Sequence, residues 1–461
     1  MKVALFVHCF FPSHFYGTEA YTLELARNLQ ALGHEPVVVT AVFPGEPSRC
    51  DVLTTYRYEN VPVYCIDKNY FPHHRVKDTY FQVEVRALLK TLLIDIKPDL
   101  VHVTHLINHT AVLLDVIREL NVPTVATLTD FYGFCFNNKL EAADGSLCRG
   151  PNEQRTNCIA CFLKARSEQP DASCVERWAG RRRWSSMTAS LLKRLTAVPG
   201  IRSSGIAETV RDLTERPALL RALYSSYRAV IAPTRFLLNA YVENGLAVPI
   251  YESHFGVDLP RGAKPVRPVG APIKLGFIGQ IAPHKGIDIL VDAFRRLPRG
   301  KAELHVFGPD DQSPAYMADL REAADGCAVS FRGTFPTNAM AAILSELDFV
   351  VVPSRWYENS PLILLYSLAS HTPVIVSDVE GLTEFVEPGK NGYVFERGSV
   401  SDLERVLCAI IADPVQSLAL NRTTQYARTT QAMTAEVCEI YETILGQHEM
   451  LSVRGSVKIT E

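Results

Sequence analysis

The chain has 461 residues, which is too long for one hydrophobic core and predicts two or three domains. Hydrophobic residues make up 47% of the sequence and charged residues 21%, which is typical of an ordinary folded, soluble protein. The formal net charge of −3 argues against a nucleic-acid-binding protein.

The start of the chain and its hydropathy predict a location. His8 interrupts the first apolar run and no small-residue cleavage site follows, so we expect no secretory signal. No apolar stretch approaches the roughly 18 residues of a membrane-spanning helix. The eleven cysteines are therefore expected as thiols or metal ligands rather than disulfides. We expect a cytoplasmic protein, with contact to the inner face of the membrane as an alternative.

Short apolar runs alternate with helical patterns along the first half of the chain. The run VALFVHC precedes an amphipathic helix over residues 19–32, which Gly33 ends. The runs PVVVTAVF, DLVHV, PTVATL and AVIAPT follow in order, with helical segments between several of them. This alternation predicts a doubly wound parallel α/β sheet.

The same alternation restarts after a Pro- and Gly-rich stretch, which predicts a second α/β domain behind a hinge. We predict an N-terminal Rossmann-like domain over residues 1–257, a hinge linker over 258–272 and a second Rossmann-like domain over 273–430. The two domains are expected to face each other across a cleft, since ligands bind beyond the carboxyl ends of such strands. Residues 431–461 are predicted to form a helix that packs back toward the N-terminal domain, plus a tail.

Residues 164–228 depart from this alternation and are basic, with 13 Lys and Arg against 6 Asp and Glu. They include the run RRRW over Arg181–Trp184. Because the apolar face is weakly marked, the favoured interpretation is a solvated helical insert in the first domain. The alternative is a surface that touches anionic lipid or a charged acceptor.

The stretch LGFIGQIAPHKGIDILVDAF reads as a strand, a glycine turn and a helix. Gly279 permits the turn, and Lys285 and Gly286 stand at the helix start. A helix N-terminus offers N–H groups and a partial positive charge, and a lysine adds a full charge, so this element suits a diphosphate. The alternative is a solvated lysine, and the spacing does not match a Walker loop.

Glu358 repeats this geometry, because it follows the apolar strand FVVVP and precedes the helix NSPLILLYSLA. The carboxylate could accept hydrogen bonds from sugar hydroxyls while the neighbouring N–H groups hold phosphate oxygens. A helix cap with a surface carboxylate is the alternative. Together the two elements favour a sugar-diphosphate ligand.

These segments resemble glycosyltransferase family 4, whose members are retaining enzymes with the GT-B fold. The resemblance also rests on FFPSHFYGTEAYTLELARNLQALGHEPVVVT, YRAVIAPTRFLLNAYVENG and HFGVD, and it covers nearly the whole chain except the basic insert. It implies transfer of a sugar from a nucleotide-diphosphate sugar to a glycan or lipid-linked saccharide acceptor in polysaccharide biosynthesis. It implies catalysis without a metal or other cofactor, with the nucleotide sugar as co-substrate.

The resemblance also implies roles for individual residues. Lys285 would neutralise the donor diphosphate, Glu358 would bind the transferred sugar, and His105 would contact the acceptor or the donor sugar. The remaining donor-binding residues would be Gly17, Gly279, Gln280, Gly286, Asn359, Ser360, Pro361, Leu362 and Tyr366. His102 and Asp130 would lie on the acceptor side.

Four positions depart from the family pattern. Tyr366 stands where the family has a second glutamate that grips the ribose, and a phenol cannot make the two-oxygen contact of a carboxylate. Gln280 replaces a common arginine, and Thr104 and Thr129 stand where histidines are frequent. These departures motivate an alternative function, a catalytically weakened GT-B subunit that binds a partner transferase or a glycan.

A glycoside hydrolase is a third hypothesis. It would need two carboxylates flanking the scissile bond at a fixed separation. The sequence shows no second acid paired with Glu358, and Glu384 is interpreted as a loop or donor-site contact. This hypothesis is therefore disfavoured.

The segment 135–161 carries a cysteine cluster of Cys135, Cys148, Cys158 and Cys161. Two of the four form a Cys-x2-Cys pair, so the four thiols could ligate one structural Zn²⁺. The spacing is not that of a standard zinc finger, and unligated thiols are the alternative. An iron–sulfur centre is less favoured.

Overall fold

A computed structural model describes residues 1–181, 185–196, 198, 200, 203–259, 264, 268 and 270–456. Most of the RRRW run, from residue 182 to 184, lies outside the described residues. So do residues 260–263, 265–267 and 269 of the predicted hinge, and the end of the chain from residue 457.

The strands are β1 (Lys2–Phe6), β2 (Glu35–Val42), β3 (Leu53–Tyr58), β4 (Val61–Asp67), β5 (Leu100–Val103), β6 (Thr124–Thr127), β7 (Ala229–Ala232), β8 (Ile250–Glu252), β9 (Ile273–Ile278), β10 (Ala302–Phe307), β11 (Val329–Gly333), β12 (Phe349–Val352), β13 (Val374–Ser377) and β14 (Gly392–Phe395).

The α-helices are α1 (Gly17–Ala31), α2 (Arg86–Ile96), α3 (Val112–Leu120), α4 (Thr156–Ser167), α5 (Cys174–Ala179), α6 (Ser185–Leu195), α7 (Gly205–Tyr224), α8 (Arg235–Glu243), α9 (Ile287–Phe294), α10 (Pro314–Ala323), α11 (Met340–Glu346), α12 (Leu362–Ala369), α13 (Val400–Ala412), α14 (Pro414–Ala419) and α15 (Thr430–Ser456). Short 3-10 helices cover Lys68–Tyr70, Val76–Thr79, Val83–Val85, Pro283–Lys285, Thr337–Ala339, Thr383–Phe385 and Leu420–Arg422.

The chain divides into two compact units. Unit 1 comprises Met1–His254 together with the chain from Gln431 onwards, and unit 2 comprises Phe255–Thr430. The helix α15 therefore belongs mainly to unit 1, although it lies at the opposite end of the sequence.

Unit 1 is built on a sheet whose described strands run in the order β3-β4-β2-β1-β5-β6-β7-β8. Every neighbouring pair is parallel except β3 and β4, which form an antiparallel edge. The central strands β5, β6 and β7 are buried throughout, as expected for apolar runs covered on both faces. The order of the strands reverses between β1 and β5, which is where ligands bind in sheets of this kind.

Unit 2 repeats this design with a wholly parallel sheet in the order β11-β10-β9-β12-β13-β14. Its reversal lies between β9 and β12. A single core of aliphatic and aromatic side chains surrounds this sheet, with Leu275, Leu290 and Phe349 almost fully buried. The predicted α/β class with two Rossmann-like parallel sheets is confirmed.

The basic insert is helical and has a small core of its own. Ile159, Ala189 and Leu213 come from α4, α6 and α7 and pack in one buried cluster. Several of its charges are paired, since Arg166 contacts Asp171 and Glu176. These features agree with the interpretation of a folded helical insert.

Within the described part of the chain, none of the helices combines the length and the apolar character that crossing a membrane requires.

Candidate functional site

The chain segments after β9 and β12 carry the predicted donor residues of unit 2. The two strands are neighbours and flank the reversal of strand order. After β9 the chain forms a 3-10 turn over Pro283–Lys285 and enters α9 through Gly286. After β12 it passes Glu358 and enters α12 at Leu362. Both predicted elements therefore meet at the carboxyl edge of one sheet.

Lys285 and Glu358 form an ion pair there. Lys285 Nζ lies 2.7 Å from Glu358 Oε1, and only 8% of the Glu358 side chain is exposed. The same carboxylate oxygen accepts hydrogen bonds from the Ser354 hydroxyl and, at 3.3 Å, from Trp356 Nε1. Burying a carboxylate is costly unless it is paired and hydrogen-bonded, and these contacts satisfy that requirement.

Trp356 shapes the surroundings of the lysine. Lys285 Nζ lies 5.5 Å from the centre of the indole ring, within range of a cation–π attraction. The centre of the His284 ring lies 3.8 Å from the centre of the same indole ring. The sequence interpretation did not assign a role to Trp356 or Ser354, although both stand within four residues of Glu358.

Two glycines permit the close approach of these segments. Gly286 has φ 70°, and a Cβ added to it would lie 2.0 Å from Pro353 O. Gly381 has φ 84°, and its Cβ would lie 1.6 Å from the Glu358 carbonyl oxygen. A larger residue at either position would displace the strand exit that carries Glu358.

The segment Asn359–Leu362 leads from the carboxylate to the helix, with Pro361 as the residue before α12. Ser360 adopts φ 70°, an uncommon conformation for a residue with a side chain. Its buried hydroxyl has no hydrogen-bond partner among the described residues. A bound ligand could supply the hydrogen bond that this buried hydroxyl lacks.

The structure brings the other predicted donor residues of unit 2 to the same edge. Gly279 follows β9, and a Cβ on Gly308 would lie 2.0 Å from its carbonyl oxygen. Gln280 donates a 2.9 Å hydrogen bond to Gln312 Oε1. Tyr366 is half-buried and is the fifth residue of α12, eight positions after Glu358.

In unit 1, His105 and Asp130 form a pair beyond β5 and β6. His105 Nε2 lies 3.0 Å from Asp130 Oδ2, and Asp130 Oδ1 accepts a 3.0 Å hydrogen bond from the Tyr132 amide. The His105 ring also packs on His8, with ring centres 4.0 Å apart. Burial lowers the pKa of His8, and the neighbouring histidines lower it further. Sequence reasoning did not assign His8 to this group.

His102 lies elsewhere than predicted. Its side chain is fully buried, with Nδ1 2.5 Å from Tyr441 Oη of α15 and Nε2 2.8 Å from Thr127 Oγ1. Burial lowers its pKa to about 3, so the imidazole is neutral. An acceptor-side role does not agree with this position, because a buried core residue has no surface to offer a ligand.

The remaining positions of unit 1 are near the same strand ends. Gly17 begins α1, and a Cβ placed on it would meet no described atom within 4 Å. Thr104 accepts or donates a 2.8 Å hydrogen bond with Thr22 Oγ1, and Thr129 donates one of 2.7 Å to the Thr104 carbonyl. The two threonines thus stabilise the strand exits.

The predicted zinc site is not supported. All four cysteines are described, yet no three of their sulfurs lie within 4.8 Å of one another. A zinc ion bonds sulfur at about 2.3 Å, which requires much closer sulfurs. Instead Cys135 Sγ donates to Asn137 Oδ1 at 2.9 Å and Cys148 Sγ to the Gly150 carbonyl at 3.3 Å. Cys161 Sγ donates to the Glu141 carbonyl at 3.6 Å, so three of the four thiols make local hydrogen bonds.

Two family profiles match the chain, one in each half of the sequence. The profile for Glycosyltransferase Family 4 matches residues 15–141, and that for Glycosyl transferases group 1 matches residues 272–413. The second match includes Lys285, Glu358 and both glycines that hold them. The chain belongs to the family 4 glycosyltransferases with the GT-B fold. The resemblance in the sequence is thereby confirmed.

Individual relatives of this family 4 glycosyltransferase match over shorter stretches. The D-inositol 3-phosphate glycosyltransferase of Mycolicibacterium smegmatis is 29% identical over 245 residues, which are 49% of this chain and 54% of that protein. Across three relatives of this name the chain spans 34% to 61% of their length.

Solved structures share the fold over almost the whole chain. A sucrose-phosphate synthase from Thermosynechococcus elongatus has a TM-score of 0.62 at 16% identity, covering 97% of this chain and 99% of its own. HepE from Anabaena, in complex with UDP and glucose, has a TM-score of 0.63 at 14% identity, covering 96% and 99%. At such low identity the likeness concerns the fold alone.

Proposed function

We propose that this protein transfers a sugar, with retention of anomeric configuration, from a nucleotide-diphosphate sugar to a glycan or lipid-linked saccharide in polysaccharide biosynthesis. The observation that carries the proposal is the Lys285–Glu358 pair at the carboxyl edge of β9 and β12. It combines a cation suited to a diphosphate with a carboxylate suited to sugar hydroxyls.

Lys285 has N–H donors that its contact with Glu358 does not use. An ammonium group has three N–H donors, and one of them is directed at Glu358. The other two can reach phosphate oxygens while the ion pair persists. Because α9 begins two residues later, its first N–H groups add partial positive charge on the same side. This arrangement favours a diphosphate over a neutral ligand.

The proposed chemistry depends on stabilising the leaving group. As the bond from the anomeric carbon to the diphosphate breaks, negative charge grows on the phosphate oxygens, where Lys285 and the helix start would oppose it. The acceptor hydroxyl then attacks from the face that the diphosphate leaves, which retains the configuration. No step requires a metal ion.

The acceptor side is proposed to include His105 and Asp130. Their contact at 3.0 Å holds the imidazole in one orientation. The Ile107 amide donates a 3.2 Å hydrogen bond to Nδ1, so the ring proton is on Nε2, facing Asp130. A sugar hydroxyl would then donate to the Asp130 carboxylate that this pair holds in place. His102 is left out of this proposal because it is buried.

Contact with an anionic membrane surface is proposed for α6 of the basic insert. Met187, Leu191 and Leu195 recur every four residues and are 65%, 57% and 42% exposed, so they form one apolar stripe on the helix. Lys193 and Arg194 lie in its last turn. An apolar stripe beside cations is the pattern of a helix that lies on a lipid surface. A lipid-linked acceptor would be consistent with such contact.

One observation favours a second candidate, the weakened subunit that binds a partner transferase or a glycan. Tyr366 occupies the position at which the family's ribose-binding glutamate stands, and it cannot supply two carboxylate oxygens. Such a subunit would keep the fold and the ion pair yet bind nucleotides poorly.

The experiment that tests the proposal is thermal unfolding with UDP, GDP, ADP, dTDP and CDP, each with and without an attached sugar. UDP is the first choice because HepE, which shares the fold, was solved with it. A ligand at about 100 times its dissociation constant adds about 2.7 kcal/mol to stability. One nucleotide is expected to stabilise wild type and not Lys285→Ala.

The matched control is Lys390→Ala, which removes an exposed lysine paired with Glu387 in the same unit. It should respond to the nucleotide as wild type does. If no nucleotide or nucleotide sugar stabilises the folded wild-type protein, the transferase proposal fails and the binding-subunit candidate takes its place.

A further inference from the structure

The loop between β1 and α1 brings three potential metal ligands together. Among the described residues, the ligand atoms of His8, Cys9 and Glu19 are the one such group that lies within 4.8 Å of one another. Cys9 Sγ lies 2.7 Å from Glu19 Oε1, and His8 Nε2 lies 3.3 Å from the same oxygen. The three side chains thus converge from two segments of the chain.

The burial of Glu19 makes this group unusual. Its side chain is 2% exposed, and its second oxygen, Oε2, has no hydrogen-bond partner among the described residues. Its neighbours at Oε1 are a thiol and an imidazole. A buried carboxylate is stable when it is paired with a cation or fully hydrogen-bonded, and here one oxygen is left without either.

Both neighbours of Glu19 Oε1 belong to residue types that bind metal ions. Neutral imidazole is the form that binds metals, and a nearby divalent cation would favour the thiolate.

We propose that His8, Cys9 and Glu19 bind one Zn²⁺ ion. Zinc accepts nitrogen, sulfur and oxygen ligands at about 2.0–2.3 Å in a tetrahedral arrangement. Such bonds place ligand atoms about 3.5 Å apart, and the three ligand atoms already lie within 4.8 Å of one another, so each separation needs to change by about 1.3 Å at most. On binding, the S–H bond of Cys9 breaks, its proton passes to solvent, and the sulfur bonds the metal.

The ion would have three protein ligands and a fourth position for water. It would join the exit of β1 to the first turn of α1, where Gly17 stands, and so fix the loop of residues 7–16 between them. It would also neutralise the Glu19 carboxylate. This role is separate from the sugar transfer proposed above, which uses no metal in unit 2.

The test is a titration of the EDTA-treated full-length protein with Zn²⁺ alone, followed by calorimetry. One equivalent is expected to bind wild type. Cys9→Ser and Glu19→Gln should each weaken binding at least tenfold. Co²⁺ in place of Zn²⁺ should give a thiolate-to-cobalt absorption band in wild type that is absent from Cys9→Ser.

Two control variants locate the ion. Cys438→Ser removes another buried thiol of unit 1, and Cys158→Ser removes a thiol of the cysteine cluster. Both should bind one equivalent as wild type does. The proposal is overturned if wild type binds no equivalent, if Cys9→Ser binds Zn²⁺ like wild type, or if Cys158→Ser is the variant that loses the ion. Because wild type itself is measured, a variant that fails to fold does not remove the test.

Discussion

The Lys285 ammonium lies 2.7 Å from the Glu358 carboxylate, although the two residues are 73 positions apart in the sequence. The parallel pairing of β9 with β12 creates this contact, because it brings the two strand exits side by side. Under the proposed function, Lys285 would bind the diphosphate and Glu358 the sugar hydroxyls.

Replacing Gly381 by alanine should disrupt the position of Glu358. The new Cβ would lie 1.6 Å from the Glu358 carbonyl oxygen, so the strand exit would have to move. We expect nucleotide-sugar binding to weaken at least tenfold, which corresponds to about 1.4 kcal/mol. Calorimetric titration measures the effect.

Gly389→Ala is the matched control for this prediction. Gly389 has a similar φ of 77°, but a Cβ there would meet no described atom within 4 Å. Both variants carry the same backbone strain, so only the clash differs. Equal losses of binding in the two variants would show that the contact with Glu358 is unimportant.

Replacing Tyr366 by glutamate should restore the carboxylate that the family uses for the ribose. If the ribose lacks a charged contact in this protein, Tyr366→Glu should tighten nucleotide binding by about 1–3 kcal/mol. Tyr366→Gln, which adds no charge, should have a smaller effect. Unchanged or weaker binding in the glutamate variant would mean that another group already holds the ribose.

The buried histidines of unit 1 predict a loss of stability in acid. His102 has a pKa near 3 in the folded protein, and an unfolded histidine has about 6.5. The unfolded chain therefore binds the proton first as the pH falls below 6.5. His102 alone should lower the free energy of unfolding by about 1.4 kcal/mol per pH unit until the pH approaches 3, and should have no effect above 6.5.

Urea unfolding from pH 4.5 to 8 measures this slope in wild type and His102→Gln. The variant should have a shallower slope by about the amount of one titrating group. His109, whose pKa burial lowers to about 4, continues to contribute in both proteins. The control His74→Gln removes an exposed histidine and should keep the wild-type slope. Identical slopes in all three proteins would contradict the prediction.

The apolar stripe on α6 predicts binding to anionic vesicles. Met187→Ser combined with Leu191→Ser should lower cosedimentation with vesicles that contain anionic lipid, because it removes exposed apolar area beside Lys193 and Arg194. Val415→Ser, at a residue of unit 2 that is 82% exposed, is the control. If the wild-type protein does not cosediment with anionic vesicles at low salt, the membrane contact is ruled out.

The sequence was informative where a local pattern determines the structure. Alternating apolar runs predicted both sheets. The glycine turn before Lys285 and the strand exit at Glu358 indicated the two segments that meet in the Lys285–Glu358 ion pair. Each of these signals is contained within about twenty consecutive residues. Parallel strand pairing then brings the ends of the strands to one edge of the sheet.

The sequence was less informative where the partner comes from far along the chain. His102 looks like a strand-end functional residue, yet Tyr441, more than three hundred residues later, covers it within unit 1. The cysteine cluster contains a Cys-x2-Cys pair, as many zinc sites do. Whether the four thiols bind a metal depends, however, on the distances between their sulfur atoms in the folded protein, which the sequence does not show. The group formed by His8 and Glu19 escaped notice because no pattern links a strand exit to a buried carboxylate on the next helix.

Calorimetric titration of wild type, Lys285→Ala and Glu358→Gln with one nucleoside diphosphate and with its sugar derivative tests whether the Lys285–Glu358 pair binds the donor. Lys285→Ala should weaken both ligands at least tenfold, because both carry the diphosphate. Glu358→Gln should weaken the sugar derivative much more than the nucleotide. If both variants bind both ligands as wild type does, the Lys285–Glu358 pair is not a donor site and the proposed function is contradicted.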